Sequence, residues 1–392
     1  MKFISSKVSQ KSFDIEFILL SRVLRSLSGG IITIAFPYFL LKDLHYSPFL
    51  LGIIYTAATI STALLSLASG YIADLWNQKY TLIFTLLLLP LSSLIILLSH
   101  NIIFIFLAAV LGGYTGRLAG GGTGGVAIPL MNALVSDLVN IKGRVKVFSE
   151  LMFIGGISSA VGMLLGKISN TYTLFIFASA ASLLSVMIMI PVRAKTKNKK
   201  ANTALKAKGA IFKFSVVGML NGLSQGLIMP FMIPFFIIVY HTPKSQMSIY
   251  SFAGSVVAAF APMFANLLDK RYGFLKSITV TRGLGAILMV FFPVVRIFYL
   301  SLIIYLVSPF LRRMALPIQQ STLVGMVDAS ETTRALSINQ VSRLSASAAG
   351  TFVASDFFLL NSIEAPFFLY GAVMFLNIYL YVKFFKNKKM LK

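Results

Sequence analysis

Seven arginines stand where arginine is costly. Arg22, Arg25, Arg117, Arg282, Arg312, Arg313 and Arg343 all fall inside long apolar stretches, away from the loops that hold the other basic residues. A charge near the middle of a membrane-spanning helix costs about 2.5–3.5 kcal/mol on insertion scales, so such residues face a protein interior or a watery cavity. Arginine's planar fork fits a carboxylate or a phosphate with two parallel hydrogen bonds. Arg22 and Arg25 are three apart and share a helix face. Arg312 and Arg313 are adjacent and diverge by about 100° around a helix. Asn221 and Gln225, four apart, put two amides on one face of another apolar stretch. Few acids lie at similar depth: Asp14, Glu16 and Asp356 all sit near segment ends. The excess of positive charge suits an anionic or phosphate-bearing small molecule. The plainer alternative has these arginines snorkelling or bonding backbone carbonyls, with Arg22 paired to Glu16 or Asp14.

Other chemistries find little support. The chain has no cysteine, which excludes disulfides, thiolate metal sites and cysteine nucleophiles. His45, His100 and His241 sit in or beside loops, and no metal site is expected of them. The run Gly120-Gly121-Gly122-Thr123-Gly124-Gly125 lacks the Gly-Lys-Ser/Thr ending of a phosphate loop. A membrane-embedded enzyme acting on a diphosphate would need paired acids. The nearest pairs, Asp14 with Glu16 and Asp328 with Glu331, form no aspartate-rich metal motif. No catalytic residue, metal or cofactor is expected, and the chain is read as a non-enzyme.

The elements that position the arginines follow from hydropathy. The chain is 57% hydrophobic and 12% charged, with mean hydropathy +0.86; soluble domains carry about 25% charged residues. A spanning helix needs about twenty mostly apolar residues. Twelve segments qualify, at 15–41, 48–73, 79–99, 103–136, 146–167, 171–192, 212–240, 246–268, 276–294, 297–326, 336–359 and 364–385. The first segment is too long for a signal-peptide core and reads as an uncleaved span. The fourth is overlong and holds the glycine run, which suits close helix packing or, as the lesser reading, a local unwinding.

A basic stretch from Arg193 to Lys213 carries eight Lys or Arg and no acid. It reads as a solvated linker. Placing the N-terminus in the cytoplasm puts twenty-four loop and terminal Lys and Arg inside and four outside. That bias sets both termini and the linker in the cytoplasm. The same distribution argues against nucleic-acid binding, despite a net charge of +24. The organisation is then a first half at 1–192, a linker at 193–211, and a second half at 212–392 with a basic tail. Matched charges suggest a repeat: Asp74 with Asp269, Arg117 with Arg312, and Arg144 with Arg334.

Three stretches carry a resemblance to a known family. Gly70-Tyr-Ile-Ala-Asp74-Leu-Trp-Asn-Gln-Lys79 resembles the loop signature of the major facilitator superfamily, with Leu75 and Asn77 in place of the usual basic residue and second glycine. Asp269-Lys270-Arg271-Tyr272-Gly273 is similar to its repeat copy. Leu44-His-Tyr-Ser47-Pro-Phe-Leu-Leu-Gly52 is similar to the family's approach to its second span. The resemblance implies an all-α integral membrane fold, with twelve transmembrane helices in two six-helix repeats around a central cavity. It implies a secondary transporter working by alternating access. Spans one, four, seven and ten line the cavity in this family, which makes Arg22, Arg25, Arg117, Asn221, Gln225, Arg312 and Arg313 the expected solute contacts. It also implies a cytoplasmic gate. Gly70 would let the second span approach a neighbour, and Asp74, near Lys79, would pair with Arg334 or Arg343. Asp269, Lys270, Arg271 and Gly273 would face Arg144 and Glu150. The fifth segment, rich in glycine from Gly155 to Gly166, is similar to the family's antiporter signature but lacks its proline. The expected partners are a small solute, a coupling ion and membrane lipid, for a monomer in the plasma membrane. Efflux of amphiphilic drugs is the second reading, since the cavity is otherwise apolar.

Overall fold

In a computed structural model of the chain, the structure describes residues 2–116, 126–127, 130–131, 134–135, 141–168, 170–192, 207–327 and 332–386. Among them every regular element is helical: α1 Lys2–Tyr38, α2 Pro48–Leu75, α3 Gln78–Leu98, α4 Ile102–Gly112, α5 Ile141–Leu165, α6 Thr171–Met189, α7 Lys208–Ile228, α8 Met232–Val239, α9 Lys244–Phe291, α10 Phe298–Gly325, α11 Thr332–Leu359 and α12 Ala365–Phe385. Nine helices among the described residues are long and apolar enough to cross a membrane. The chain is an all-α integral membrane protein.

Local chemistry sets several boundaries. Asn77, Asn101 and Asn170 cap α3, α4 and α6, each side chain accepting from a first-turn N–H at 2.9 Å. The seventh segment breaks into α7 and α8 across a short 3₁₀ turn, Met229–Phe231, that contains Pro230. The eighth and ninth segments run together as α9, interrupted only at Gly273, where φ is 73° and ψ 169°. Glycine takes that conformation without the cost a Cβ would bring. Ser277 Oγ donates to Leu268 O at 3.0 Å across the break. The fourth segment departs from expectation: α4 stops at Gly112, and Gly113 turns left-handed at φ 65°. The glycine run beyond it lies outside the described residues.

The chain forms two compact units. One holds Met1–Phe39, Ser61–Lys200 and Lys244–Phe252; the other holds Leu40–Ile60, Ala201–Pro243 and Ala253–Lys392. In the first unit α1 and α5 meet at two glycines. A Cβ on Gly30 would collide with Ser159 O, and one on Gly162 with Leu27 O. In the second unit α7 and α11 meet the same way, Gly226 against Ser347 O and Gly350 against Leu223 O. The two sets correspond residue for residue, and neighbouring polar contacts follow. Ser185 Oγ donates to Ser21 O at 2.9 Å in the first unit, and Asn377 Nδ2 donates to Val217 O at 2.7 Å in the second. The internal repeat is thus visible in backbone contacts. Carried along α5 and α11, its register sets Arg334 opposite Lys146 rather than Arg144. A pairing by charge alone misses by two residues because several basic residues crowd the start of α5.

Gly70 does not do what was expected of it. Among the described residues a Cβ there would have no neighbour within 4 Å. Close helix approach falls instead to the four glycines above and to Gly222, where a Cβ would collide with Arg343 O.

Candidate functional site

In the first unit, α1 presents a polar face of Ser21, Arg22, Arg25, Ser26 and Ser28. The serines anchor it: Ser21 Oγ meets Ser185 Oγ at 2.8 Å, and Ser28 Oγ donates to Ala178 O at 2.8 Å. Arg22 and Arg25 are 6% and 5% exposed. Arg25 Nη1 donates to Leu86 O at 3.3 Å. That carbonyl is free because its helical partner would be the N–H of residue 90, which is Pro90, inside α3. Arg22 lies against α5 at Gly155, whose missing Cβ would stand 2.8 Å from Arg22 Nε. Both Nε atoms are buried and have no hydrogen-bond partner. Arg22 pairs with neither Asp14 nor Glu16.

In the second unit Arg282, on α9, makes two hydrogen bonds and a ring contact. Its Nη1 donates to Asn377 Oδ1 on α12, its Nη2 donates to Gln319 Oε1 on α10 at 2.8 Å, and its guanidinium lies 4.7 Å from the ring centre of Tyr381. Neutral acceptors and an aromatic face hold this cation without a carboxylate. Arg343 lies on α11 and Arg312 on α10, both half-buried. Arg313 Nη2 is buried with no partner. Asn221 and Gln225 are buried and satisfy each other, Gln225 Nε2 donating to Asn221 Oδ1 at 3.0 Å. None of the six arginines Arg22, Arg25, Arg282, Arg312, Arg313 and Arg343 pairs with a carboxylate among the described residues. Arg117 lies outside them.

The family profile described as Major Facilitator Superfamily matches residues 18–351. The chain belongs to the major facilitator superfamily. Solved structures of the same fold include a mutant of the nucleoside transporter NupG, at TM-score 0.77 and 13% identity over 95% of this chain and 100% of the other. A bacterial homolog to the human lysosomal transporter Spinster, inward-facing and occupied, matches at TM-score 0.77 and 12% identity over 96% and 97%. The human organic anion transporter MFSD10 matches at TM-score 0.68 and 13% identity over 95% and 99%. Against curated proteins, a sequence comparison finds no match. Members of this superfamily with this fold are secondary transporters, and the chain takes its place among them as a carrier of small solutes.

Of the residues that the superfamily signature marks, Lys79 has a defined role: its Nζ donates to Ile190 O at 2.6 Å, closing the C-terminal end of α6. Asp269 is half-buried, and Lys270 and Arg271 are exposed. Arg271 and Lys276 flank the Tyr272 ring at 5.5 and 5.4 Å. The side chains of Asp74, Arg144, Glu150 and Arg334 lie outside the described residues. Three contacts were missed by sequence reasoning: Gln319, Asn377 and Asn339. Asn339 Nδ2 donates to Phe214 O at 2.6 Å. A signal existed for Asn377, the one amide in the very apolar α12. No group of His, Asp and Glu that could hold a metal occurs among the described residues.

Proposed function

We propose that this superfamily member moves a small solute bearing a carboxylate or a phosphate across the plasma membrane by alternating access, with Arg22 and Arg25 as its first contacts. One observation carries the reading: two neighbouring guanidinium groups on α1 are buried, carry unsatisfied Nε donors and pair with no described carboxylate. A buried charge without a counter-charge is expensive, and a bound anion removes that cost. Within the second unit, Arg313 has its own buried and unpartnered Nη2 on α10, and Arg312 and Arg313 keep the role of solute contacts on the superfamily resemblance alone. Arg282 is left out of the contact set, because its Nη1 and Nη2 already donate to Asn377 and Gln319. A fold neighbour described as an organic anion transporter is compatible with this class.

Efflux of amphiphilic drugs draws less support. The abundant phenylalanines largely pack on one another: Phe235 lies 4.6 Å from Phe292 and 5.5 Å from Phe367, centre to centre, and Phe236 lies 5.2 Å from Tyr305. The loop-charge bias supports two halves, 1–192 and 212–392, tethered by a cytoplasmic linker.

Uptake into vesicles containing the purified protein tests the reading. With Arg22→Gln, Arg25→Gln and Arg312→Gln, transport of the accepted anion falls by about tenfold to a hundredfold in the α1 variants, the range expected for one charge-assisted hydrogen bond. Unchanged uptake of every anion in all three variants sinks the proposal.

A further inference from the structure

Gly155, like Gly166 and Gly218, faces polar side-chain atoms of a neighbouring helix rather than its backbone. Gly30, Gly162, Gly226 and Gly350 face backbone carbonyls, where a Cβ would force two helices apart. A Cβ on Gly155 would meet side-chain donors instead: Arg22 Nε at 2.8 Å, Ser26 Oγ at 3.2 Å and Arg22 Nη2 at 3.3 Å. Three donors therefore converge above this glycine. One of them, Arg22 Nε, is buried and has no acceptor.

The repeat shows which helix carries the glycine at this crossing. Leu27 corresponds to Leu223 and Gly30 to Gly226, which sets Arg22 opposite Gly218. Ser159 corresponds to Ser347 and Gly162 to Gly350, which sets Gly155 opposite Arg343. One unit offers arginine from its first helix and glycine from its fifth; the other reverses the two. The first unit sets Ser26 against Gly155 and the second sets Gly222 against Arg343 O, so this crossing holds one glycine in each unit, on opposite helices. In the first unit that glycine falls on α5, and what it faces is the Arg22 guanidinium and Ser26 Oγ.

We propose that the Nε–Nη2 edge of Arg22, together with Ser26 Oγ, is the seat of an oxygen of the solute's carboxylate or phosphate, and that Gly155 is the specificity-determining residue that keeps this edge bare. The proposal rests on the anion reading above. A methyl at 155 covers the edge that grips the anion side-on.

The test measures melting of the purified protein against inorganic phosphate, succinate and benzoate, since a ligand that binds the native state raises its Tm. At least one probe stabilises the wild type. Gly155→Ala then needs about tenfold more of that probe for the same shift, the loss expected for one charge-assisted hydrogen bond. Ser158→Ala, on the same helix, needs no more than the wild type. In parallel, phenylglyoxal labelling read by peptide mass spectrometry shows Arg22 protected by the probe in the wild type and not in Gly155→Ala, a change that a packing role would not produce. Should Gly155→Ala fail to fold, Ser26→Ala and wild-type protection of Arg22 carry the test. A probe that stabilises the wild type without protecting Arg22, or binds Gly155→Ala equally well, overturns the assignment and leaves the anion reading standing. If no probe stabilises the wild type or protects any arginine, the anion reading itself falls.

Discussion

Arg25 owes its position to a proline on another helix. Pro90 carries no N–H, so Leu86 O lacks its helical partner and accepts from Arg25 Nη1 at 3.3 Å. In the second unit Pro230 likewise leaves Gly226 O without a helical donor; Thr351 Oγ1 lies 3.3 Å from it, but the one proton of that hydroxyl has a closer acceptor in Ser347 O at 2.9 Å. The prolines thus do more than shape their helices; each exposes an acceptor inside the core. Pro90→Ala returns a donor to Leu86 O and removes the exclusive hold on Arg25. The variant is expected to melt no lower than the wild type, because it gains a helical hydrogen bond and loses a helix-breaking ring. Its anion transport falls several-fold. Melting curves and vesicle uptake on one preparation check both halves, and a variant with lower Tm and unaltered uptake contradicts this account. Sequence alone marked Arg25 as a costly cation but did not single out Pro90, because the link between them runs through a backbone atom, which carries no residue identity. Arg282 shows the same limit. Its cost was plain, while its acceptors, Asn377 and Gln319, lie 95 and 37 residues away in sequence.

At the level of elements, the glycines divide by what they face. Gly162 and Gly350 sit against carbonyls of the neighbouring helix, Leu27 O and Leu223 O, whereas Gly70 faces nothing within 4 Å among the described residues. Adding a methyl at a tight contact costs about 1–3 kcal/mol. At an open helical position Ala is better than Gly by up to about 1 kcal/mol. Gly162→Ala and Gly350→Ala are therefore expected to lower Tm by similar amounts, and Gly70→Ala to hold or raise it. Differential scanning fluorimetry in detergent separates the two groups, and a drop at Gly70 matching that at Gly162 would falsify the division. This sorting was not legible beforehand. With 28 glycines in the chain, spacing cannot say which ones meet a backbone. What could be read was the repeat, from Asp74 and Asp269, because charges are scarce in apolar segments and a matched pair stands out. The length of the fourth segment misled for a related reason: hydropathy registers a run of glycine as permissive and is blind to the left-handed turn at Gly113.

For the whole molecule, the all-helical membrane class follows from composition, since no water-soluble fold of this size could cover so much apolar side chain. Sidedness rests on the loop charges and is open to direct measurement. The absence of cysteine gives a clean background for single-cysteine labelling. His45 and Lys208 are both exposed. In intact cells a membrane-impermeant maleimide is expected to label His45→Cys, and to reach Lys208→Cys only after permeabilisation. Labelling of Lys208→Cys but not of His45→Cys before permeabilisation would reverse the orientation. The exchange of segments between the units, Leu40–Ile60 into one and Lys244–Phe252 into the other, falls on corresponding places in the repeat. In each unit the exchanged segment packs closely on a helix of its host: a Cβ on Gly52 would collide with Ser355, and one on Gly166 would stand 2.5 Å from Ser248 Oγ.

The carbonyl that Pro90 exposes has a bearing on how this chain can drift over evolutionary time. Position 90 and position 25 are coupled through one oxygen atom, so neither is free to vary alone. A lineage that replaces Pro90 refills the Leu86 carbonyl and releases Arg25 to drift. A lineage that loses Arg25 strands that carbonyl and favours the loss of the proline. Among related sequences positions 25 and 90 are expected to change together, which makes two ordinary-looking positions a record of one hidden hydrogen bond.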